Sequence, residues 1–211
     1  MNGLKPSELK AACADLAKRD VVLQRAYDVV GVPVWRATSP NYETLARAVA
    51  YQLISTRAAA AIWGRTVQFL GDDISPEAVL AADEDGLRAC GNSRPKIGHM
   101  RSIAAALVSG ELCFERLGKS EPAAARKELL AVKGIGPWTA DLFLMGALGQ
   151  VDAFPAGDVG IMEAYRSLSG AAARHDTKSF NALAERWRPF RGVAAHLLWG
   201  WLNHTRGASA N

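Results

Sequence analysis

Apolar residues recur along most of the chain at the spacing of α-helices. In the segment 42–55, Leu45, Val49 and Leu53 follow one another at four-residue intervals with Gln52 beside them, which predicts one helical face. Runs with the two-residue alternation of a strand are not found. The pattern therefore predicts an all-α protein with short loops. The other predicted helices cover residues 7–19, 20–30, 56–70, 94–108, 121–132, 137–148, 159–168, 178–188 and 192–204, with a short one that begins at Ser75, Pro76 and Glu77.

A short glycine-rich turn separates two of these helices. Gly134 and Gly136 flank Ile135, and Pro137 follows at the first position of the next helix. Glycine permits a tight turn and the close approach of a ligand, and proline suits a position whose N–H has no helical partner. Because a helix N-terminus carries partial positive charge, the turn predicts a site for an anion such as a DNA phosphate. The alternative interpretation is a plain corner between two helices.

The formal net charge of +4 permits nucleic acid as a partner without demanding it. Six acidic side chains and no basic one lie in residues 72–85, whereas residues 91–140 hold eight basic and four acidic side chains. The basic stretch includes the glycine turn, which indicates the face that would meet phosphates. A solvated acidic loop beside an ordinary surface is the alternative explanation.

Several classes of protein are excluded by what the sequence lacks. The longest stretch without Asp, Glu, Lys or Arg is 192–205, and a membrane span needs roughly 20 apolar residues, so no membrane partner is expected. No apolar signal segment is found, so we expect a cytoplasmic protein, nucleoid-associated if bacterial. Cys13, Cys90 and Cys113 form no pair and are expected to be buried free thiols. The four histidines show no metal-ligand spacing, so no cofactor is expected on side chains.

A longer pattern extends from the glycine turn towards the C-terminus. Leu130, then Gly134 to Ala140, then Asp158 twenty residues after Trp138, resembles the helix–hairpin–helix DNA glycosylases. Within them the chain is most similar to the 3-methyladenine glycosylase II family. The resemblance covers roughly residues 40–205, which is most of the chain.

The resemblance implies an architecture and a partner. The fold would be two helical lobes around a DNA-binding cleft, interleaved in sequence within a single domain of residues 1–211, with the helix–hairpin–helix at about 121–149. The partner would be double-stranded DNA, bound by a monomer. Hairpins of this family can also hold a monovalent cation on main-chain oxygens, here those of Leu130, Val132 and Ile135.

The resemblance also assigns residues to DNA binding. The family's Gly-Gln-Leu stretch appears as Tyr51, Gln52 and Leu53 on a helix, with Tyr51 in place of the glycine. Leu53 would be the apolar wedge that fills the gap left by an extruded base, and Gln52 would lie beside the orphaned partner base. Without the family, Leu53 is interpreted as an ordinary core leucine. The hairpin residues assigned to the DNA backbone are Gly134 and Gly136. Lys133 lies before the hairpin, and its expected use is either a contact with a DNA phosphate or none.

Asp158 is the expected catalytic residue. Breaking an N-glycosidic bond develops positive charge on the deoxyribose, and a fixed carboxylate stabilises this charge and orients a water molecule. From sequence alone, the simpler interpretation of Asp158 is the N-cap of the helix that follows, and both roles can coexist. Asp141 falls within a predicted helix, which indicates a solvated or salt-bridged side chain, and Asp152 is expected to organise its loop.

Two tryptophans, Trp138 and Trp199, are assigned by the resemblance to the pocket that holds the extruded base. An aromatic face attracts a cationic alkylated purine by roughly 0.5–2 kcal/mol. Core packing is the alternative for an isolated tryptophan. The family's tyrosine four residues after the first tryptophan is replaced by Leu142, which leaves the selectivity of the pocket open.

The reaction implied by the resemblance is the hydrolytic release of alkylated purines, chiefly 3-methyladenine, from duplex DNA. Such bases are cationic and leave without protonation, so no general acid is needed. Relatives with lyase activity place a nucleophilic lysine where this chain has Trp138, so a monofunctional glycosylase is expected. Two alternatives stay open: a glycosylase of the same fold for uracil, hypoxanthine or oxidised bases, and a non-catalytic module that binds DNA structure.

Overall fold

A computed structural model describes residues 3–207 of the chain. This range contains thirteen α-helices, one 3₁₀ turn and no strand, which confirms the all-α prediction. None of these helices has the length and apolar character needed to cross a membrane. In chain order they are α1 (Pro6–Arg19), α2 (Val21–Val30), α3 (Tyr42–Tyr51), α4 (Thr56–Phe69), α5 (Pro76–Ala81), α6 (Glu84–Ala89), α7 (Arg94–Val108), α8 (Phe114–Lys119), α9 (Pro122–Ala131), α10 (Pro137–Gly146), α11 (Val159–Ser169), α12 (Thr177–Ala184) and, after the 3₁₀ turn Glu185–Trp187, α13 (Arg191–Thr205).

Side-chain caps fix where many of these helices begin. An oxygen of the residue before the helix accepts a backbone N–H of the first turn, a contact that contributes about 1 kcal/mol. The Ser75 Oγ does so for α5, at 3.1 Å from the Ala78 nitrogen, and Pro76 occupies the first helical position as predicted. The short helices α6 and α8 are not predicted by the sequence pattern, because six residues do not show a helical period. The other capping side chains are Asp20, Asn41, Ser55, Asp83, Asp158 and Asp176.

The structure corrects the prediction of a continuous helix over residues 42–55. α3 ends at Tyr51, Gln52 leaves the helical conformation (φ −59°, ψ 133°), and Leu53 has a left-handed backbone with φ 60°. The Leu53 side chain is fully exposed, at 103% of its reference area, so its interpretation as a core leucine is wrong. Its helical spacing is coincidental, because Ser55 caps a new helix, α4, and the residues between form a turn.

The chain forms two compact units. The first unit combines the residues up to Ala37 with those from Leu144 onward, and the second unit comprises Thr38–Phe143, so the division falls inside α10. In the first unit α13 packs on α2 and α11, and α1 packs on α2; in the second, α7 packs on α3 and α5. Fully buried side chains of the first unit include Leu16, Leu23, Phe180, Trp187 and Leu197, and those of the second include Leu45, Ile97, Met100, Ile103 and Leu117.

The cysteines are free thiols, as predicted. Cys13 and Cys90 are buried, also as predicted, but Cys113 is only half-buried, so the prediction of burial is wrong for that residue. Burial raises the pKa of the Cys13 thiol to about 11, which keeps it protonated near neutral pH.

Candidate active site

The turn between α9 and α10 is a tight hairpin whose conformation requires one of its two glycines. Gly134 has φ +100°, in the left-handed region that side chains disfavour. A Cβ atom there would lie 2.5 Å from the His99 Cβ and 2.9 Å from the His99 Cα, so the turn packs directly on α7. Gly136 has neither constraint, since its φ lies outside that region and a Cβ would meet nothing within 4 Å. The close approach of a ligand to Gly136 stays a prediction.

A buried carboxylate joins the two helices of the hairpin. Asp141 in α10 is 6% exposed, and its Oδ1 accepts a hydrogen bond from the Arg126 Nε of α9 at 2.7 Å. The Arg126 Nη2 lies 3.3 Å from the other oxygen, and the hydrogen bonding raises the pKa of the Arg126 guanidinium. Of the two interpretations of Asp141, the salt-bridged one is confirmed and the solvated one is wrong. Asp141 therefore stabilises the hairpin.

The 52–55 loop, which follows α3, is tied to the hairpin by a hydrogen bond. The Gln52 Nε2 donates to the Thr139 Oγ1 at 2.9 Å, and Thr139, in the first turn of α10, is fully buried. The Gln52 amide nitrogen is thus directed towards the interior of the second unit, whereas the neighbouring Leu53 side chain is exposed to solvent. Trp138, which immediately precedes Thr139, is half-buried at the second position of α10.

In the first unit, the Asp158 carboxylate accepts hydrogen bonds from Ile161 and Trp199. Its Oδ1 accepts the backbone N–H of Ile161 at 3.0 Å, so Asp158 is the N-cap of α11. The same oxygen accepts the indole N–H of Trp199, in α13, at 3.3 Å. The capping interpretation of Asp158 is therefore confirmed, and two residues of the predicted site are in contact. A half-buried carboxylate fixed in this way has the geometry to stabilise a developing cation.

The space around the Asp158 carboxylate depends on Gly160, in the first turn of α11. A Cβ atom at Gly160 would lie 3.0 Å from the Asp158 Oδ1 and 3.2 Å from the Leu202 Cδ2 of α13. Real side chains rarely make contacts this short, because protein interiors resist compression. A larger residue at Gly160 would therefore displace the carboxylate or its neighbours.

A stack of aromatic rings packs against Trp199. The His196 ring meets the Trp199 ring edge to face, with centroids 5.5 Å apart, and stacks on Trp35 at 4.3 Å. The His196 Nε2 accepts the Arg36 backbone N–H at 3.2 Å, and its Nδ1 donates to the Gly192 carbonyl at 2.8 Å. Burial lowers the pKa of His196 to about 4, so the ring is neutral at physiological pH. Fixed rings and hydrogen bonds thus restrict the position of Trp199.

Asp152 organises the loop that precedes Asp158, as predicted. Its carboxylate accepts hydrogen bonds from the Arg188 Nη1 at 2.6 Å and from the Arg191 Nε and Nη2 at 3.0 and 2.9 Å. Arg191 is the first residue of α13, so these contacts tie the loop to the helix that carries Trp199.

The predicted site residues divide between the two units. Asp158 and Trp199 belong to the first unit, whereas the 52–55 loop, Trp138 and the hairpin turn, where Lys133 is exposed, belong to the second. Within residues 3–207, no group of three or more His, Cys, Asp or Glu side chains is arranged to hold a metal ion. The monovalent cation expected on the main-chain oxygens of the hairpin stays a prediction.

Sequence reasoning misses Thr139 and His196, both of which contact predicted site residues. Thr139 lies inside the glycine-turn motif, one residue after Trp138, and that position is the only signal for it. The sequence gives no such signal for His196, because the ring that stacks on it belongs to Trp35, which is distant in the sequence.

Comparisons with known proteins agree on one family. The family model described as HhH-GPD superfamily base excision DNA repair protein matches residues 46–189. DNA-3-methyladenine glycosylase 1 of Schizosaccharomyces pombe is 37% identical over 165 residues, which cover 75% of this chain and 71% of that protein. DNA-3-methyladenine glycosylase 2 of Escherichia coli is 29% identical over 173 residues, which cover 76% of this chain and 58% of that longer protein.

The fold agrees with a solved structure from the same group of proteins. The Schizosaccharomyces pombe 3-methyladenine DNA glycosylase Mag1, in complex with abasic DNA, is similar with a TM-score of 0.82 and 30% sequence identity. The similarity covers 93% of this chain and 97% of that one. Because the family model matches more than half of the residues, the chain belongs to the HhH-GPD superfamily of base excision DNA repair proteins.

Proposed function

We propose that the chain is a monofunctional DNA glycosylase that hydrolyses the N-glycosidic bond of alkylated purines, such as 3-methyladenine, and acts as a monomer on double-stranded DNA. The names of the relatives support the reaction, and the abasic DNA bound by the similar structure supports the partner. The observation that carries the proposal is the Asp158 carboxylate, which the Ile161 N–H and the Trp199 indole hold at the start of α11.

The proposed reaction uses the Asp158 carboxylate and a water molecule. The bond between C1′ and the purine nitrogen breaks, and its electron pair neutralises the cationic base as it leaves. Asp158 stabilises the positive charge that develops at C1′ and orients the water that adds there. The water loses one proton, to the carboxylate or to solvent, and an abasic site remains. No general acid is required, because an alkylated purine that is already cationic leaves as a neutral molecule.

The assigned aromatic residues fit a cationic base. Trp138 is half-buried near the start of α10, and Trp199 is fixed beside Asp158. We assign both to recognition of the extruded base, because ring faces attract cations and stack on purines. The exposed Leu53 side chain fits the role of the apolar wedge that occupies the gap left in the duplex.

The absence of lyase chemistry follows from Trp138, which stands where lyase relatives have a nucleophilic lysine. Lys133 is exposed in the hairpin turn, and we assign it to the DNA backbone. Borohydride should therefore trap no covalent complex between the protein and damaged DNA. A trapped complex, or strand cleavage by the pure protein at neutral pH, would show that the chain is bifunctional.

The decisive experiment is chromatography of the bases released from methylated DNA by wild type and by Asp158→Asn. Asparagine caps a helix as well as aspartate does, so the variant should fold, while loss of the charge should lower base release at least about 100-fold. Asp176→Asn is the matched control, because Asp176 caps α12 through the Ser179 nitrogen at 2.7 Å and has no assigned role in the reaction.

The outcomes separate the candidate functions. Base release at the wild-type rate by Asp158→Asn would refute the catalytic role of that carboxylate. A wild-type protein that binds damaged duplex DNA and releases no base would be a DNA-binding module. Duplexes that carry uracil, hypoxanthine or 8-oxoguanine, assayed in parallel, would reveal a glycosylase of the same fold with another substrate.

A further inference from the structure

Leu53 has a conformation that requires support from the rest of the second unit. Its φ of 60° lies in the left-handed region, which non-glycine residues disfavour, and its side chain gains no packing because it is fully exposed. Without contacts at the neighbouring residues, the 52–55 loop would relax to other conformations. The structure must therefore supply contacts that hold the residues next to Leu53.

Two hydrogen bonds from side-chain donors hold the chain just before Leu53. The Lys96 Nζ, from the first turn of α7, donates to the Ala50 carbonyl at 2.9 Å, in the last turn of α3. The Gln52 Nε2 donates to the Thr139 Oγ1 at 2.9 Å. Burial lowers the pKa of the Lys96 ammonium, in keeping with its partial removal from water. The first bond fixes the end of α3, and the second connects the 52–55 loop to α10.

The bond between Gln52 and Thr139 conflicts with a role for Gln52 in reading a base. Thr139 is fully buried, so if the Gln52 amide turned towards DNA, it would leave the Thr139 hydroxyl without this donor inside the protein. A buried polar group that loses its partner is costly, and this cost favours retention of the bond when DNA is bound.

We propose that Gln52 and Thr139 are a positioning pair that holds the Leu53 wedge at a fixed place relative to the hairpin, and that Gln52 does not read the orphaned base. This inference rests on the proposed function, since it assigns a task within base extrusion. Thr139 follows Trp138 in α10. The hydrogen bond from Gln52 therefore holds the wedge in place relative to the helix that carries the tryptophan assigned to base recognition.

The test combines variants that keep the shape of each side chain and remove its hydrogen bond. Gln52→Met lacks the donor, Thr139→Val lacks the acceptor, and Thr139→Ser keeps it. Wedge insertion is measured by the fluorescence of 2-aminopurine placed next to a tetrahydrofuran abasic analogue in duplex DNA. Base release is measured in single turnover. We expect Gln52→Met and Thr139→Val each to lower wedge insertion and the single-turnover rate about tenfold, and Thr139→Ser to restore most of both.

A matched control separates positioning from stability. Thr66 is also a buried threonine of the second unit, and it accepts a hydrogen bond from the Asn92 Nδ2 at 2.8 Å. Thr66→Val should lower the free energy of unfolding to a similar degree as Thr139→Val, yet leave wedge insertion and the single-turnover rate unchanged. Affinity for undamaged DNA should be unchanged in all of these variants.

The double variant and the choice of opposite base complete the test. If the two residues act as a pair, the double variant Gln52→Met with Thr139→Val should show the same wedge insertion and single-turnover rate as either single variant, whatever base lies opposite the lesion. Three results would each overturn the pair. The first is a double variant in which the losses of the two single variants multiply, and the second is a Thr139→Val variant with wild-type wedge insertion and rate. The third is a Gln52→Met defect whose size depends on the opposite base. A wild-type protein that shows no wedge insertion would overturn the pair as well. A wild type that inserts its wedge and releases no base would refute the proposed function alone, because the fluorescence still tests the pair.

Discussion

Substitution of either hairpin glycine by alanine should impair a different property: stability at Gly134 and DNA affinity at Gly136. At Gly134, an alanine must adopt φ +100° and must place its Cβ 2.5 Å from the His99 Cβ and 2.9 Å from the His99 Cα. The left-handed backbone and the overpacking against α7 each cost about 1–3 kcal/mol, so Gly134→Ala should lower the free energy of unfolding by about 2–6 kcal/mol. At Gly136 neither cost applies, because its φ lies outside the left-handed region and a Cβ would meet nothing within 4 Å.

Gly136→Ala should instead weaken DNA binding. The residue precedes α10, and the Gly136 carbonyl accepts the Ala140 N–H at 2.9 Å, so a less favourable helix start costs less than about 1 kcal/mol. A methyl group on the open side of the turn would, however, keep a phosphate away from the backbone. Loss of one charge-assisted hydrogen bond predicts an affinity about tenfold lower.

Urea denaturation and fluorescence anisotropy measure the two effects separately. The ligand is a duplex with a tetrahydrofuran abasic analogue, at one fixed salt concentration because phosphate contacts are salt-dependent. A Gly134→Ala variant as stable as wild type would show that neither the left-handed backbone nor the contact with His99 requires glycine at this position. Wild-type DNA affinity in a stable Gly136→Ala protein would refute the close approach of DNA to this turn.

Two further predictions concern the first unit. Gly160→Ala should lower the single-turnover rate about 10- to 100-fold with little change in DNA affinity, because its Cβ would lie 3.0 Å from the Asp158 Oδ1 and displace the carboxylate; a wild-type rate would contradict this. For His196, burial lowers the pKa from 6.5 to about 4, so the unfolded chain binds the proton more readily than the folded one. The free energy of unfolding should therefore fall by on the order of 3 kcal/mol as the pH decreases from about 6.5 to 4. Urea denaturation at several pH values should show a smaller decrease for His196→Asn, and equal decreases would exclude His196 as the cause.

Features set by neighbouring residues could be predicted from the sequence, whereas those set by distant residues could not. The Ser75 cap and the tight turn at Gly134 depend on contacts or backbone angles within a few positions. The 52–55 loop shows the limit, because the apolar spacing that places Leu53 on a helical face is satisfied by chance. What holds the loop in its place is Thr139, 87 residues from Gln52 in the sequence, and no local pattern records that bond.

The capping role of Asp158 is compatible with the catalytic role proposed for it. The Ile161 N–H donates the hydrogen bond that makes Asp158 a helix cap, and the same bond fixes the carboxylate, so capping would supply the rigidity that the proposed chemistry needs. The Trp199 indole N–H, 41 residues away in the sequence, holds the same carboxylate oxygen from α13, and no local sequence pattern indicates this hydrogen bond. The two roles differ in what they require, since capping needs an oxygen acceptor and catalysis needs a negative charge. Asp158→Asn keeps the first and removes the second, whereas Asp158→Ala removes both. Stability should therefore fall by about 1 kcal/mol only in the alanine variant, while base release should be lost in both.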